Sequence, residues 1–221
     1  MFAIFKSPES TDLELRLQEM LGDCARMFSL ATSAIIGDVE AESVREELWD
    51  LDKGINRSER AVRRELLVRG AVRGAEMEHG LSLAYMSVGK DVERIGDYCK
   101  NIWDLAHAGV SFGGASDLDV LRQQTDEVAE LLSEGREAFS TQDVKRVHSL
   151  IPRMEVNAVG HDDAMMGYIG SSAPASEAVP RALYYRFLKR IVSHMENVLT
   201  SVVMPLDRID FYKESKATDA D

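Results

Sequence analysis

The residues with the clearest capacity for chemistry are Glu93, Asp97 and Asn101, each one helical turn from the next within VGKDVERIGDYCKNI, Val88 to Ile102. Oxygen ligands at i and i+4 stack along one side of a helix and offer hard donors to a cation. A second pair of this kind, Asp52 and Asn56, lies upstream in LDKGIN. Two helices placed side by side would bring Asp52, Asn56, Glu93 and Asp97 to one seam. Such a donor set suits magnesium, manganese, iron or, less strictly, zinc. The same pattern also reads as a solvated acidic face, where like charges one turn apart cost roughly a few tenths of a kcal/mol unless a cation relieves them. At about 100° per residue the stripe lies roughly 140 to 220° from the apolar face of its helix, which predicts that it points away from the core.

Other reactive side chains form weaker patterns. Glu76-x-x-His79 is half of a di-iron carboxylate signature, but that fold needs two such pairs and no second occurs. No phosphate-cradling glycine loop, nucleophile elbow or Ser-His-Asp set is visible, so the sequence points away from an enzyme. His107, His148, His161 and His194 read as surface or filler. Cys24 and Cys99 fall on apolar helix faces and read as buried free thiols, which suits a reducing cytoplasm. Arg57, Arg60, Arg63, Arg64, Arg69 and Arg73 make a basic run in a chain of net charge -12. That run reads either as a docking patch for an acidic partner or anionic lipid, or as a solvated face with Glu59 to Arg63 and Glu65 to Arg69 pairs.

The elements that must position these groups are long helices. Val88, Val92, Ile95, Cys99, Ile102 and Ala106 recur at three and four residues, one helix face turned to a core. Ser7-Pro8-Glu9-Ser10 breaks the chain before a Thr11 to Glu14 capping box, and a first helix follows as far as Gly37. A second helix is expected from near Ala41 to about Val68, and a third from about Met77 to His107. The only glycine-rich connector near the middle, Ala108 to Ser116, separates these from a fourth helix ending at Ser140. A fifth is capped by Thr141 and carries Pro152 as a kink, and a sixth ends at Met204-Pro205. Trp49 and Trp103 border the two central helices and read as edge packing.

Two sets of three helices suggest duplication, and a nearly constant offset supports it. Shifting by 103 lays Leu48, Asp52 and Ile55 on Ile151, Glu155 and Ala158; shifting by 100 lays Tyr85, Val88, Val92 and Ile95 on Tyr185, Leu188, Val192 and Met195. The expected fold is all-α, two tandem three-helix bundles of a spectrin-like kind, spanning 1–110 and 116–212, with a frayed tail at 213–221. In the second copy Glu93 and Asp97 become Ser193 and Asn197, and Asn56 becomes Val159, so the acidic stripe belongs mainly to the first bundle. With 45% hydrophobic residues the chain can bury a real core, and its acidity disfavours nucleic-acid binding. MFAIFKSPES is too short an apolar run for a signal peptide, and no run approaches the ~18 apolar residues of a spanning helix.

DVERIGDYCKNI, with LDKGIN upstream and helices repeated as three plus three, closely resembles the PhoU family of phosphate-transport regulators. The resemblance implies a cytoplasmic, often dimeric protein, peripheral to the membrane at most. It implies repression of phosphate uptake or of phosphate-starvation signalling through contact with phosphate transporter components and a sensor histidine kinase, without catalysis. It also implies iron or zinc bound through E/D-x-x-x-D motifs, here Glu93-x-x-x-Asp97 with Asp52-x-x-x-Asn56 as a degenerate companion. Because the second copy departs from that pattern, at most one metal site per chain is expected. Two other functions fit the same helices: an accessory subunit of a single-component phosphate permease, and a metal-storage or metal-dependent oxidase bundle.

Overall fold

Apolar residues at helical spacing dictate six long helices, and the computed structural model, which describes residues 11–73, 79–210 and 212, contains them. They are α1 (Thr11–Ile36), α2 (Arg45–Arg73), α3 (His79–His107), α4 (Leu118–Thr141), α5 (Val144–Ile169) and α6 (Ala175–Val203). No strand occurs among the described residues. The expected Ser7-Pro8-Glu9-Ser10 break, the Met77 start of the third helix and the 213–221 tail lie outside the described residues.

Several boundaries differ from the sequence expectation. A 3-10 turn takes Ala41–Val44 and the α-helix starts only at Arg45. α2 runs past Val68 to Arg73, because one glycine near a helix end, Gly70, costs only about 1 kcal/mol. α5 is capped by Asp143 rather than Thr141: the Asp143 carboxylate accepts from the Arg146 backbone N–H at 3.0 Å, while Thr141 still belongs to α4.

The duplication is written in the burial pattern. Ala84, Tyr85, Val88, Val92, Ile95, Cys99 and Ile102 of α3 are buried, as are Tyr184, Tyr185, Leu188, Val192, Met195, Leu199 and Val202 at the same offset in α6. The two triplets do not keep separate cores. One apolar cluster runs from Leu13 in α1 through to Val202 in α6, with α3 packed on α6 and α1 on α4. α2 and α5 are thereby left on the flanks.

The connector crosses the end of α1. Phe112 is buried and its N–H donates to the Ile35 carbonyl at 2.7 Å. Gly37, at φ +91°, sits beneath it, and a Cβ there would stand 3.1 Å from the Gly113 Cα. At the far end of the connector, Arg181 of α6 grips Asp117 with a two-bonded fork at 2.6 and 2.7 Å and lies 5.3 Å over the Phe112 ring. Burial alone would raise the Asp117 carboxyl; the Arg181 fork holds it below its usual range.

Trp103 is core, not edge. Its ring is 2% exposed, its Nε1–H donates to the Ala41 carbonyl at 2.8 Å, and Trp49 meets it edge-on at 4.8 Å. The indole thus closes the turn between α1 and α2 onto α3, with its one polar atom satisfied.

Candidate functional site

Helix α3 has three covered sides. Its apolar stripe faces α1. Gly89 and Gly96 lie on a second side, where a Cβ on Gly96 would come within 3.1 Å of the Ile55 Cδ1 of α2. These small residues let α2 approach closely, and that approach, invisible as a hydrophobic stripe, sets the acidic residues in a seam rather than on the open back of the helix. The Glu93 side chain is 16% exposed and Asp52 of α2 only 14%, with Asp97 at 34%.

The seam brings Asp52, Glu93 and Asp97 into electrostatic contact. Burial first, and then the Glu93 carboxylate with a further push from Asp52, raises the Asp97 carboxyl above its usual range. Three cations of the chain itself answer these three carboxylates. Lys100 Nζ lies 3.5 Å from Asp52 Oδ2 and 4.7 Å over the Trp49 ring, Arg94 reaches Asp97 at 3.2 Å, and Lys90 stands 3.6 Å from Glu93. Asn56, one turn beyond Asp52, lends its backbone carbonyl to Arg60 Nε at 3.2 Å.

A metal at this seam would compete with the chain's own cations for the carboxylates. One observation favours a cation: Glu93 Oε2 is buried with no hydrogen-bond donor. Against it, no three His, Cys, Asp or Glu side chains among the described residues come together closely enough to hold an ion. The ammonium of Lys100 also stands at the carboxylate that would complete the set. Metal binding to Asp52, Glu93 and Asp97 therefore requires Lys100 to move away.

The third side of α3 faces α6 and carries a polar cluster that the sequence reading missed. Asp91 accepts from His194 Nδ1 at 2.6 Å and from Asn197 Nδ2 at 3.2 Å. Arg190 Nη2 lies 2.9 Å from His194 Nε2. A guanidinium only donates, so His194 bridges a donor on one side and the Asp91 carboxylate on the other. Tyr98 stacks on the His194 ring at 5.7 Å and accepts from Arg190 Nε at 3.3 Å. Asp91 and His194 are both buried, so His194 is an interface residue rather than surface or filler. The available signal was a charged residue next to buried Val92 and a histidine next to buried Met195, on the two helices that the offset pairs.

The remaining expectations divide. Glu59 pairs with Arg63 and Glu65 with Arg69, while Arg57, Arg60 and Arg64 point outward. Cys24 and Cys99 are buried free thiols, and burial pushes both up. His161 is also buried, 5.9 Å from the Tyr185 ring, and desolvation lowers it to about 4, so it is neutral filler. Glu76 lies outside the described residues, which leaves the Glu76-x-x-His79 pattern unplaced.

The first helical triplet, with ERIGD on its third helix, matches a known family: residues 17–106 match the PhoU domain model. The fold extends the likeness over nearly the whole chain. PhoU from Pseudomonas aeruginosa is similar at a TM-score of 0.73 and 22% identity, over 90% of this chain and 96% of that one. The phosphate transport system regulatory protein PhoU from Streptococcus pneumoniae follows at 0.65 and 16%, over 87% and 94%. No curated protein matches the sequence. No helix among the described residues is long and apolar enough to cross a membrane.

Proposed function

We propose that the chain is a cytoplasmic regulator of the PhoU kind. It restrains phosphate uptake and phosphate-starvation signalling by reversible contact with a phosphate transporter and a sensor histidine kinase, acts as a homodimer, and catalyses no reaction. The observation that carries this reading is the PhoU domain over residues 17–106, within a fold that follows the P. aeruginosa PhoU over 90% of the chain. Tuning by a metal, on this reading, acts at the seam between α2 and α3 and competes with Lys100 for Asp52.

The deciding experiment is a deletion strain carrying a reporter for phosphate-starvation genes, grown in abundant phosphate. Constitutive expression, reversed by the intact gene, is expected. Expression that stays silent in the deletion strain would overturn the regulator reading.

A further inference from the structure

The outer face of α2 changes character along its length. At about 100° per residue, Arg57, Arg60 and Arg64 share one face with Leu67, Val68 and Val72, opposite the buried Ile55, Val62 and Leu66. All three arginines are exposed, and the aliphatic residues are 74%, 56% and 80% exposed. Between residues 57 and 73 the sequence holds six arginines and only two glutamates, Glu59 and Glu65, and each glutamate is paired within the helix.

The start of α3 repeats the order in reverse. α2 ends and α3 begins at the same end of the first triplet, and there Leu83 and Met86 are 69% and 43% exposed, with exposed Lys90 one turn further from that end on the same face. Among the described residues, exposed aliphatic side chains therefore lie toward this end, with exposed Arg57, Arg60, Arg64 and Lys90 behind them. Arg64 and Val68 are separated by about 6 Å along the helix axis. The headgroup layer of a bilayer leaflet is roughly 5 to 8 Å thick.

We propose that this end of the α2–α3 pair docks on a bilayer surface that carries anionic lipid headgroups. Leu67, Val68, Val72, Leu83 and Met86 enter the boundary of the acyl chains, Arg64 sits among the phosphates, and Arg57 and Arg60, about 10 and 6 Å further along the axis, face the anionic surface from above it. Charge complementarity selects this occupant. A basic belt on a chain of net charge -12 turns one end toward an anionic surface while the acidic remainder is repelled. Five exposed aliphatic side chains beside the belt suit lipid better than an acidic protein surface, which would pair with the arginines alone.

The test is co-sedimentation of the full chain with vesicles of phosphatidylcholine alone or with half phosphatidylglycerol. The variants are Arg60→Glu with Arg64→Glu, and Leu67→Ser with Val72→Ser, all at exposed positions, with far-UV circular dichroism to check folding. The expected result is binding to the anionic vesicles only, weakened by salt and lowered at least about tenfold by either pair. Absence of binding to anionic vesicles overturns the proposal. So does binding lost with the arginine pair but untouched by the serine pair, which would mark the belt as a surface for an acidic protein. Vesicle binding is independent of the regulator reading, so failure here leaves the reporter experiment to stand or fall alone.

Discussion

Lys100 decides what the acidic seam can do. Spacing on the helix places Glu93 and Asp97 one turn apart, but it does not say which cation answers them. In the folded chain the answer is internal: three carboxylates meet Lys90, Arg94 and Lys100, and the Lys100 ammonium is held by both Asp52 and the Trp49 ring. Replacing Lys100 with Met keeps the length of the side chain and removes its charge. Asp52, Glu93 and Asp97 are then left with a local excess of negative charge, which a divalent ion relieves. Titration calorimetry with manganese or zinc should show Lys100→Met binding at least about tenfold more tightly than the parent chain, a difference of about 1.4 kcal/mol. Equal binding by the two would mean that Lys100 does not guard the seam.

Among the elements, the connector between α3 and α4 is the one whose geometry the flanking helices most constrain. It passes over the end of α1 with Gly37 below it, in a left-handed conformation that a side chain enters only with strain. Alanine at that position adds a Cβ 3.0 Å from Ser111 Oγ and 3.1 Å from the Gly113 Cα, so the clash falls partly on backbone that cannot rotate away. Gly37→Ala should lower stability by about 1–3 kcal/mol, measured by urea unfolding. In a chain of this size that corresponds to a fall of roughly 2–4 °C in Tm for each kcal/mol. A neutral effect would show that the connector can lift from α1 without cost.

On the scale of the molecule, the two triplets share one apolar core and the Asp91–His194–Arg190 cluster, which predicts that they unfold together. The chain carries a built-in test, because both tryptophans, Trp49 and Trp103, lie in the first triplet, whereas circular dichroism reports all six helices. Unfolding followed by tryptophan fluorescence and by far-UV dichroism should give coincident transitions. His194→Ala removes a hydrogen-bond partner from the buried Asp91 carboxylate and should shift both curves together by about 2 kcal/mol. Separate transitions would show that the triplets unfold independently and that the interface adds little.

Much of the fold was legible because helix periodicity is a local property. The stripes of α1, α3 and α6, the glycine-rich connector and the offset of 100 residues all follow from residues a few positions apart, or from comparing one stripe with another. So did the Glu59–Arg63 and Glu65–Arg69 pairs, which need only one helical turn. The length of α2 was less legible, since the helix continues through Gly70 where local propensity alone would stop it. What only the tertiary structure decided is how many sides of α3 are covered. Gly89 and Gly96 admit α2, and Asp91 with Tyr98 meets α6, so a helix that reads as having one core face and one acidic back has neighbours on both flanks. The ERIGD stripe and its carboxylates came from the sequence; their burial in a seam, and the Asp52 carboxylate that Lys100 reaches across it, came from a second helix 48 residues away in the chain. Electrostatic partners of that kind are set by which helices pack together, and no local spacing encodes that.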